Sequence, residues 1–345
     1  MSIKPIKDRR ITIIGGAGFI GHNMALHFKS LGAEVSLIDG LEVNNLTSVI
    51  GNKDSLPHPE LSLAVIYERL QLLREANIPL FVQDARDYHG LTKFLTKTNP
   101  QVIVHLAAVS HANRSNKDPY STFDHSFRTL ENALDFARGQ IEQFIYFSSS
   151  MVYGHFNEGQ VDESSHCDPL GIYGALKFGG EKLVIGYNQV FELPYTIIRP
   201  SALYGQRCIS RRVGQIFIEN ALYGKEITIN GDGSDSLDFT YIQDLADGIT
   251  KAIENDNALN QTFNLTYGSA RTIGDMIEIL RTYFPNIAVR SIPKDSLMPD
   301  RGTLSVEKAR SLIGYEPSWP LDRGYPQYIE WYKDLFKRHP ALCKR

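Results

Sequence analysis

A glycine-rich turn near the start of the chain stands between a strand-like run and a helix-like run. The β-branched segment ITII at 11–14 leads into GGAGFIG at 15–21, after which apolar residues recur at helical spacing. Gly15 permits the tight turn, Gly18 lets the backbone approach a pyrophosphate, and Gly21 lets the helix pack closely on the strand. The amides at the helix start then face the negative charge. This order predicts a dinucleotide-binding turn.

The next strand-like run supports the same prediction. VSLID at 35–39 ends in Asp39, whose carboxylate is placed to accept both hydroxyls of a ribose. The same carboxylate repels a 2′-phosphate, so we expect NAD rather than NADP as the cofactor. A strand-helix turn followed by an unrelated surface aspartate is the alternative interpretation of these residues.

A second string, YGALK at 173–177, indicates redox chemistry. Tyr173 and Lys177 are four residues apart in a helix-like segment, so their side chains share one face. An ammonium group beside a phenol favours the phenolate, which lets Tyr173 act as a general base near neutral pH. Two unconnected surface residues are the alternative. However, FIYFSSSMVYG at 144–154 predicts a buried strand that ends in serines, where parallel sheets bind ligands.

These segments resemble the extended short-chain dehydrogenase/reductases, and among them the NAD-dependent nucleotide-sugar epimerases and dehydratases. The similarity extends from about residue 9 to about residue 335. The matching pieces are GGAGFIG at 15–21, Asp39, DARD at 84–87, HLAA at 105–108, SSSMVYG at 148–154, YGALK at 173–177, RPSALYG at 199–205, GDGSDSLDF at 231–239 and YIQDLADGI at 241–249.

The resemblance implies a set of site residues and an assembly. It identifies Ser149, Tyr173 and Lys177 as catalytic. The cofactor contacts that it implies, besides Tyr173 and Lys177, are Gly15, Gly18, Phe19, Ile20, Gly21, Asp39, Asp84, Ala85, Leu106, Ala107, Ala108 and Pro200. Relatives of this type form homodimers through the helices that correspond to 119–138 and 173–192, and we expect the same pairing here.

The chain departs from the family pattern where relatives hold the nucleotide phosphates. Leu237 stands in place of an arginine and Ala202 in place of an asparagine, so no particular nucleotide is implied. Arginine side chains at other positions of the chain can bind phosphate oxygens through their guanidinium groups. The expected substrate contacts are Ser149, Ser150, Arg207, Arg211, Arg212 and Arg301. For RCISRR at 207–212, a solvated basic surface is the alternative.

The two residues after the expected catalytic serine bear on the reaction. The dehydratases of this family have an Asp-Glu pair there, which removes water. Ser150 and Met151 cannot do so, and methionine cannot replace the thiolate that some enolate epimerases use there. We therefore expect an NAD-dependent nucleotide-sugar epimerase that inverts C4 through a transient keto-sugar. A dehydrogenase or another keto-sugar enzyme, and a non-catalytic binding protein, are the alternatives.

The order of elements predicts the fold class. Helix-like segments alternate with strand-like runs at 80–84, 101–108, 143–149, 195–200 and 262–266. We expect an α/β fold with a Rossmann-like doubly wound parallel sheet and a smaller mixed α/β substrate lobe. The NAD-binding domain is assigned to 1–200 plus 238–266, and the substrate lobe to 201–237 plus 267–345. The insertion at 44–79 is expected to border the adenine end of the cofactor or to contact a partner.

Composition narrows the class of protein further. A net charge of −3 over 345 residues gives no reason to expect a nucleic acid partner. The three cysteines have no framework spacing, so neither a disulfide scaffold nor a metal site is expected. No apolar run reaches the ~18 residues of a membrane span, and we expect a cytoplasmic enzyme. His111, just past a strand-like run, is a further candidate for a substrate contact.

Overall fold

The computed structural model describes residues 4–51, 56–109, 112–156, 159–294 and 298–343. The candidate His111 lies outside them. The first half contains β1 (Arg10–Ile14), α1 (Phe19–Ser30), β2 (Glu34–Asp39), α2 (Leu46–Gly51), α3 (Pro59–Glu75), β3 (Leu80–Val82), α4 (Tyr88–Thr98), β4 (Val102–His105), α5 (Ala112–Lys117), α6 (Pro119–Phe123), α7 (Thr129–Ala137) and β5 (Gln143–Phe147). A π-helical turn, Asp124–Arg128, joins α6 to α7.

The second half continues in the same alternating manner and then adds shorter elements. It contains β6 (Gln160–Val161), α8 (Gly171–Phe191), β7 (Tyr195–Arg199), β8 (Leu203–Tyr204), α9 (Val213–Leu222), β9 (Ile227–Asn230), β10 (Ser236–Leu237), β11 (Thr240–Tyr241), α10 (Ile242–Glu254), β12 (Gln261–Asn264), β13 (Arg271–Thr272), α11 (Ile273–Tyr283), β14 (Val289–Ile292), β15 (Thr303–Leu304), α12 (Glu307–Ile313) and α13 (Leu321–Arg338).

Seven parallel strands form the central sheet, in the order β3, β2, β1, β4, β5, β7, β12. In this register Ile14 lies opposite Ile38 on one side and opposite His105 on the other. The direction of winding reverses between β1 and β4. In sheets of this kind, ligands bind at the carboxyl ends of the strands beside that reversal. The predicted doubly wound α/β class is confirmed.

Both faces of the sheet are covered, because its strands are apolar at nearly every position. The side chains that pack toward α1 and α10 include Ile13, Leu37, Val104, Ile145 and Ile198. Those that pack toward α4, α7 and α8 include Ile14, Ile38, Ile103, Phe144 and Ile197. Continuous burial is typical of parallel strands between two helical layers. It fixes the carboxyl edge of the sheet, where the site residues lie.

The shorter elements after β7 pack around α13. Strand β9 pairs with β14, β10 pairs with β13, and α9 and α11 contact α13. Tyr325, Tyr328 and Tyr332 of α13 are fully buried. These aromatic side chains therefore pack the last helix, as their helical spacing indicates.

Helices α2 and α3 occupy most of the insertion at 44–79. Helix α3 packs on α1 and on α2 through buried apolar side chains such as Val65, Ile66 and Leu73. Glu42, Val43 and Asn44, just before α2, border the cleft described below. No helix within the described ranges is long and apolar enough to cross a bilayer.

Candidate active site

The glycine turn between β1 and α1 closes one end of a cleft at the carboxyl edge of the sheet. Gly15 has a φ of +81°, and a Cβ there would lie 2.8 Å from the amide nitrogen of Ala107. A Cβ on Gly21 would lie 2.6 Å from the Cα of Gly16, so turn and helix pack without room for a side chain. A Cβ on Gly18 would meet only the Gly15 carbonyl oxygen among the described residues, at 3.4 Å. Gly18 therefore presents open backbone, with the helix N-terminus behind it, to an anionic ligand.

Asp39 ends β2 on the other side of this cleft. Its Oδ2 accepts a hydrogen bond from the Ala17 amide at 2.9 Å, and its Oδ1 accepts one from the Leu41 amide at 2.7 Å. Burial raises the pKa of Asp39, and the two amides oppose that shift. Each oxygen retains a second acceptor site, as recognition of two ribose hydroxyls requires.

The loop after β3 forms a further wall of this cleft. Arg86 donates to Asp84 through its amide at 2.8 Å and through Nη2 at 2.7 Å. Burial alone would raise the pKa of Asp84, but the hydrogen bonds and charge of Arg86 lower it overall. Asn132 on α7 donates to the carbonyl oxygens of Ala85 and Arg86 at 3.0 and 2.9 Å, which fixes the loop. The expected cofactor contacts that line this cleft are Gly15, Gly18, Phe19, Ile20, Gly21, Asp39, Asp84, Ala85, Leu106, Ala107 and Ala108.

A larger cleft of about 480 Å³ opens beside the first. Ile20, Leu106, Ala108 and Arg212 line both, so the two clefts adjoin each other. The remaining expected site residues that line the larger cleft are Ser149, Ser150, Tyr173, Lys177, Pro200, Arg211 and Arg301. A cavity of this size, with polar groups from several elements, is typical of a small-molecule site.

Ser149 and Tyr173 reach this cleft from different elements. Ser149 follows β5, and its Oγ accepts the Met151 amide at 3.2 Å. Tyr173 lies in the first turn of α8. Burial raises the pKa of the Tyr173 phenol, whereas the Ser149 hydroxyl and the charge of Arg212 lower it. Burial is the largest of these three effects, so the pKa of the phenol is raised overall.

Lys177 lies one turn further along α8 and is buried. Its Nζ donates to the carbonyl oxygen of Phe147, the last residue of β5, at 2.6 Å. Burial lowers the pKa of Lys177 to about 8, and the charge of Glu181 opposes that shift. The sequence indicated Lys177 as the cation that acts on Tyr173. In this conformation Lys177 is bonded to β5, and Arg212 is the cation whose charge lowers the pKa of the phenol.

Glu181 connects the elements that carry the catalytic candidates. Its Oε1 accepts from the Ser148 hydroxyl at 2.5 Å, and its two oxygens accept from Arg199 Nε and Nη2 at 2.9 and 2.7 Å. Arg199 Nη1 donates in turn to the Tyr153 hydroxyl at 2.9 Å. All four side chains are buried. The network ties α8 to β7 and to the end of β5.

Three of the four expected arginines enter the larger cleft. The Nε of Arg212 is buried and has no partner among the described residues. Arg211 Nη1 lies 3.4 Å from Glu219 Oε2. Burial lowers the pKa of Arg301 to about 10, and the charge of Asp235 opposes that shift. Cations enclosed in this way attract an anionic ligand.

Arg207, the fourth, does not line either cleft. Its Nε donates to His22 Nε2 at 2.9 Å and its Nη2 to Asn23 Oδ1 at 2.8 Å. Its Nη1 donates to Glu68 Oε1 at 3.4 Å. Because α1 and α3 engage the whole guanidinium group, we replace the expected substrate contact of Arg207 by a structural role.

A comparison of the sequence with models of protein families agrees with the fold, the glycine turn and the cleft. The model of the NAD dependent epimerase/dehydratase family matches residues 11–266. The chain belongs to this family. Its members depend on NAD, and the open backbone at Gly18 and the acceptor sites of Asp39 fit that cofactor.

Individual relatives in the family are similar over nearly the whole chain. An uncharacterized UDP-glucose epimerase of Bacillus subtilis is 28% identical and covers 95% of this chain and 99% of its own. A dTDP-glucose 4,6-dehydratase of Xanthomonas campestris is 24% identical and covers 93% and 92%. The crystal structure of UDP-glucuronic acid 4-epimerase from Bacillus cereus, in complex with UDP-glucuronic acid and NAD, has a TM-score of 0.83, 25% identity and coverage of 94% and 99%.

The sequence analysis did not predict two residues that hold the elements around the clefts in place. Glu181 lies four residues after Lys177, so helical spacing alone places it on the same face of α8. This helical spacing could have identified Glu181 from the sequence. Asn132 lies on α7, far in sequence from the Ala85 loop that it holds, and no local pattern marks it.

Proposed function

We propose that this chain is an NAD-dependent nucleotide-sugar epimerase that inverts C4 of the sugar through a transient keto-sugar. One observation carries the proposal. Ser149, Tyr173 and Lys177 line a cleft that adjoins the cofactor cleft, whereas Ser150 and Met151 in the same cleft offer no carboxyl group. Elimination of water needs such a group as acid or base. Asp235 also lines this cleft, but its carboxylate is bonded to Lys294 Nζ at 2.7 Å.

In this proposal Tyr173 moves the proton and Ser149 steadies the oxygen. Tyr173 must first lose its own proton, which burial opposes and the charge of Arg212 favours. The phenolate then takes the proton of the C4 hydroxyl, and the phenol returns it when the alcohol re-forms. The Ser149 hydroxyl donates to the C4 oxygen as the carbonyl develops. When bound, NAD would supply the hydride acceptor for C4 and the hydride donor for the other face of the keto-sugar. The reaction therefore has no net redox change.

The cations in the cleft support a nucleotide diphosphate as the anchor of the substrate. Arg211, Arg212 and Arg301 line the cleft. A guanidinium group can bind phosphate oxygens through two parallel hydrogen bonds. Leu237 and Ala202 line it as well, so the positions at which relatives hold phosphate offer neither a cation nor a side-chain amide here. On this assignment residues 1–200 and 238–266 hold the cofactor, and residues 201–237 and 267–345 hold the sugar nucleotide.

We also propose a homodimer that forms through α6 and α8. These two helices expose large apolar side chains to solvent, which is costly for a monomer. The exposed set is Tyr120, Phe123, Ile172, Val190 and Phe191.

Proton NMR of the NAD-loaded protein with UDP-, GDP-, CDP- and dTDP-sugars in deuterated water tests the function. We expect a new C4 epimer without deuterium from the solvent. Tyr173→Phe is expected to keep bound NAD and to lower the rate by at least about a hundredfold, because the proton acceptor is gone.

Other outcomes of the same experiment contradict the proposal in distinct ways. Stoichiometric growth of absorbance at 340 nm would identify a dehydrogenase instead. A 4-keto-6-deoxy sugar would identify a dehydratase despite Ser150 and Met151. Deuterium on a carbon beside the carbonyl would mean enolate chemistry. An unchanged panel would leave a binding protein of the same fold.

A further inference from the structure

The segment that carries Arg211 and Arg212 into the cleft has a strained backbone. Arg207 has a φ of +64° and Arg211 a φ of +56°, in the left-handed region that non-glycine residues rarely adopt. Such conformations persist only where the surrounding structure holds them. Helices α1 and α3 hold this segment at Arg207, whereas Gln215 and Glu219 of α9 hold Arg211.

Helix α1 holds this segment through two polar side chains. Arg207 donates to His22 Nε2 at 2.9 Å and to Asn23 Oδ1 at 2.8 Å, and Asn23 Nδ2 donates to the Gln206 carbonyl oxygen at 3.4 Å. The other ring nitrogen, His22 Nδ1, lies 2.8 Å from the Gly18 carbonyl oxygen. Since Nε2 accepts from arginine, Nδ1 carries the proton and donates it to Gly18. Burial and two neighbouring guanidinium groups hold the pKa of His22 well below its usual value, so this neutral tautomer persists.

Helix α3 holds the same residue from the other side. Arg69 is 1% exposed, and its Nε donates to the Arg207 carbonyl oxygen at 2.8 Å while its Nη2 contacts the same oxygen. Glu68 accepts from Arg207 Nη1 at 3.4 Å. Glu68 also accepts from Trp331 Nε1 at 3.0 Å and from Arg338 Nη2 at 2.8 Å, which fixes it to α13. Both the backbone and the side chain of Arg207 are therefore held by neighbouring residues of one inserted helix.

We infer that the inserted helix α3 is a substrate-positioning element, which acts through Arg69 and Arg207 to place Arg212 on the substrate diphosphate. The inference rests on the proposed function, because it takes the cleft arginines to bind a nucleotide diphosphate. Arg212 is the N-cap residue of α9, five residues beyond Arg207. A shift of the strained segment moves its guanidinium away from the phosphate oxygens, and paired contacts of this kind tolerate little displacement.

A double-mutant cycle tests this inference. The variants are Arg207→Met, Arg212→Met and the double variant. The control is Arg281→Met, because Arg281 forms an exposed i,i+3 pair with Glu278 on α11 and does not contact the network that holds Arg207. Calorimetry on the NAD-loaded proteins with UDP, dTDP, GDP and CDP measures the dissociation constant of the tightest nucleotide. We expect Arg207→Met to raise it about tenfold, as loss of a charge-assisted contact does, and Arg281→Met to leave it within about twofold. In the Arg212→Met background, Arg207→Met is expected to have little further effect.

A second pair of readouts separates positioning from a general loss of stability. Arg69→Met leaves the Arg207 side chain intact and removes the bond to its carbonyl oxygen, so nucleotide affinity should fall here too, even where Arg207→Met folds poorly. In turnover, KM for the sugar nucleotide should rise in both variants more than kcat falls, because Tyr173 and Ser149 are untouched. Bound NAD should remain.

The remaining outcomes each decide a different point. Additive effects of Arg207→Met and Arg212→Met on nucleotide affinity would overturn the inference and leave the diphosphate assignment of Arg212 standing. Unchanged affinity in Arg212→Met would overturn both. A coupled cycle in a protein that epimerises none of the sugars would uphold the positioning role and overturn the proposed reaction.

Discussion

The guanidinium group of Arg199 forms two hydrogen bonds with the carboxylate of Glu181, at 2.9 and 2.7 Å. The two side chains are only 6% and 3% exposed. Glu181 belongs to α8, which carries Tyr173 and Lys177, and Arg199 ends β7. The ion pair therefore fixes α8 to the sheet.

The substitution Glu181→Gln should destabilise the protein. It leaves the buried charge of Arg199 without its partner, which costs about 3–5 kcal/mol of unfolding free energy. The matched control is Glu330→Gln, since Glu330 forms an exposed i,i+3 pair with Lys333 and such pairs contribute at most about 1 kcal/mol. Urea unfolding monitored by circular dichroism measures both. Equal losses in the two variants would contradict the stabilising role of the buried pair.

The buried His105 should make the protein less stable in acid. Burial, and next the charge of Lys177, lower the pKa of His105 to about 3. In the unfolded chain a histidine takes up a proton near pH ~6.5, so the folded protein is favoured fully above that pH and loses stability as the pH falls toward 3. At pH ~5 this loss amounts to about 2 kcal/mol.

Replacement of the ring isolates this contribution. Between pH ~7.5 and pH ~5, the free energy of unfolding of the His105→Leu variant should fall by about 2 kcal/mol less than that of the natural protein. Urea unfolding at the two pH values measures this difference. The control is His89→Leu, because His89 is exposed on α4. A natural protein and a His105→Leu variant with the same pH dependence would show that His105 is not buried as a neutral ring.

The proposed homodimer predicts that a charge on α6 separates the subunits. Tyr120 is 87% exposed, so Tyr120→Asp should leave the fold of one chain intact while it places a carboxylate in the apolar contact. Sedimentation velocity should then show a monomer, whereas Tyr67→Asp, on the exposed face of α3 at 56% exposure, should remain dimeric. A dimeric Tyr120→Asp variant would place the contact elsewhere.

The sequence was sufficient for features that depend on local spacing. The strand, glycine turn and helix at 11–31 follow from which residues tolerate a positive φ and a close backbone approach, and these requirements are local. Asp39 could be assigned for the same reason, because it ends the next strand. The parallel sheet followed from the repeated alternation of strands and helices.

The sequence was insufficient where distant elements meet. Arg207 looked like a phosphate ligand because it stands beside Arg211 and Arg212, but a positive φ turns it toward α1 and α3. Lys177 has the right spacing to act on Tyr173, yet its ammonium group is bonded to the carbonyl of Phe147. Each outcome depends on packing between segments that no sequence pattern relates.

Two glycines of the same turn should have different effects when each is replaced by alanine, one on cofactor binding and the other on stability. Gly18 has a φ of −73°, and its Cβ would contact only one described protein atom, at 3.4 Å. Gly18→Ala should therefore cost less than about 1 kcal/mol of stability, the usual difference at a helix N-cap. Its methyl group occupies the surface where the cofactor approaches, so bound NAD should be lost.

Gly21→Ala should act on the fold itself. The new Cβ would lie 2.6 Å from both the Cα and the carbonyl oxygen of Gly16, so α1 must move away from the turn, at a cost of about 1–3 kcal/mol. Thermal unfolding and the NAD content of the purified proteins separate the two effects. If Gly18→Ala retained NAD at full stoichiometry, the cofactor would not approach the backbone at Gly18. If Gly21→Ala had the same melting temperature as the natural protein, the helix would not need the close contact that the structure shows.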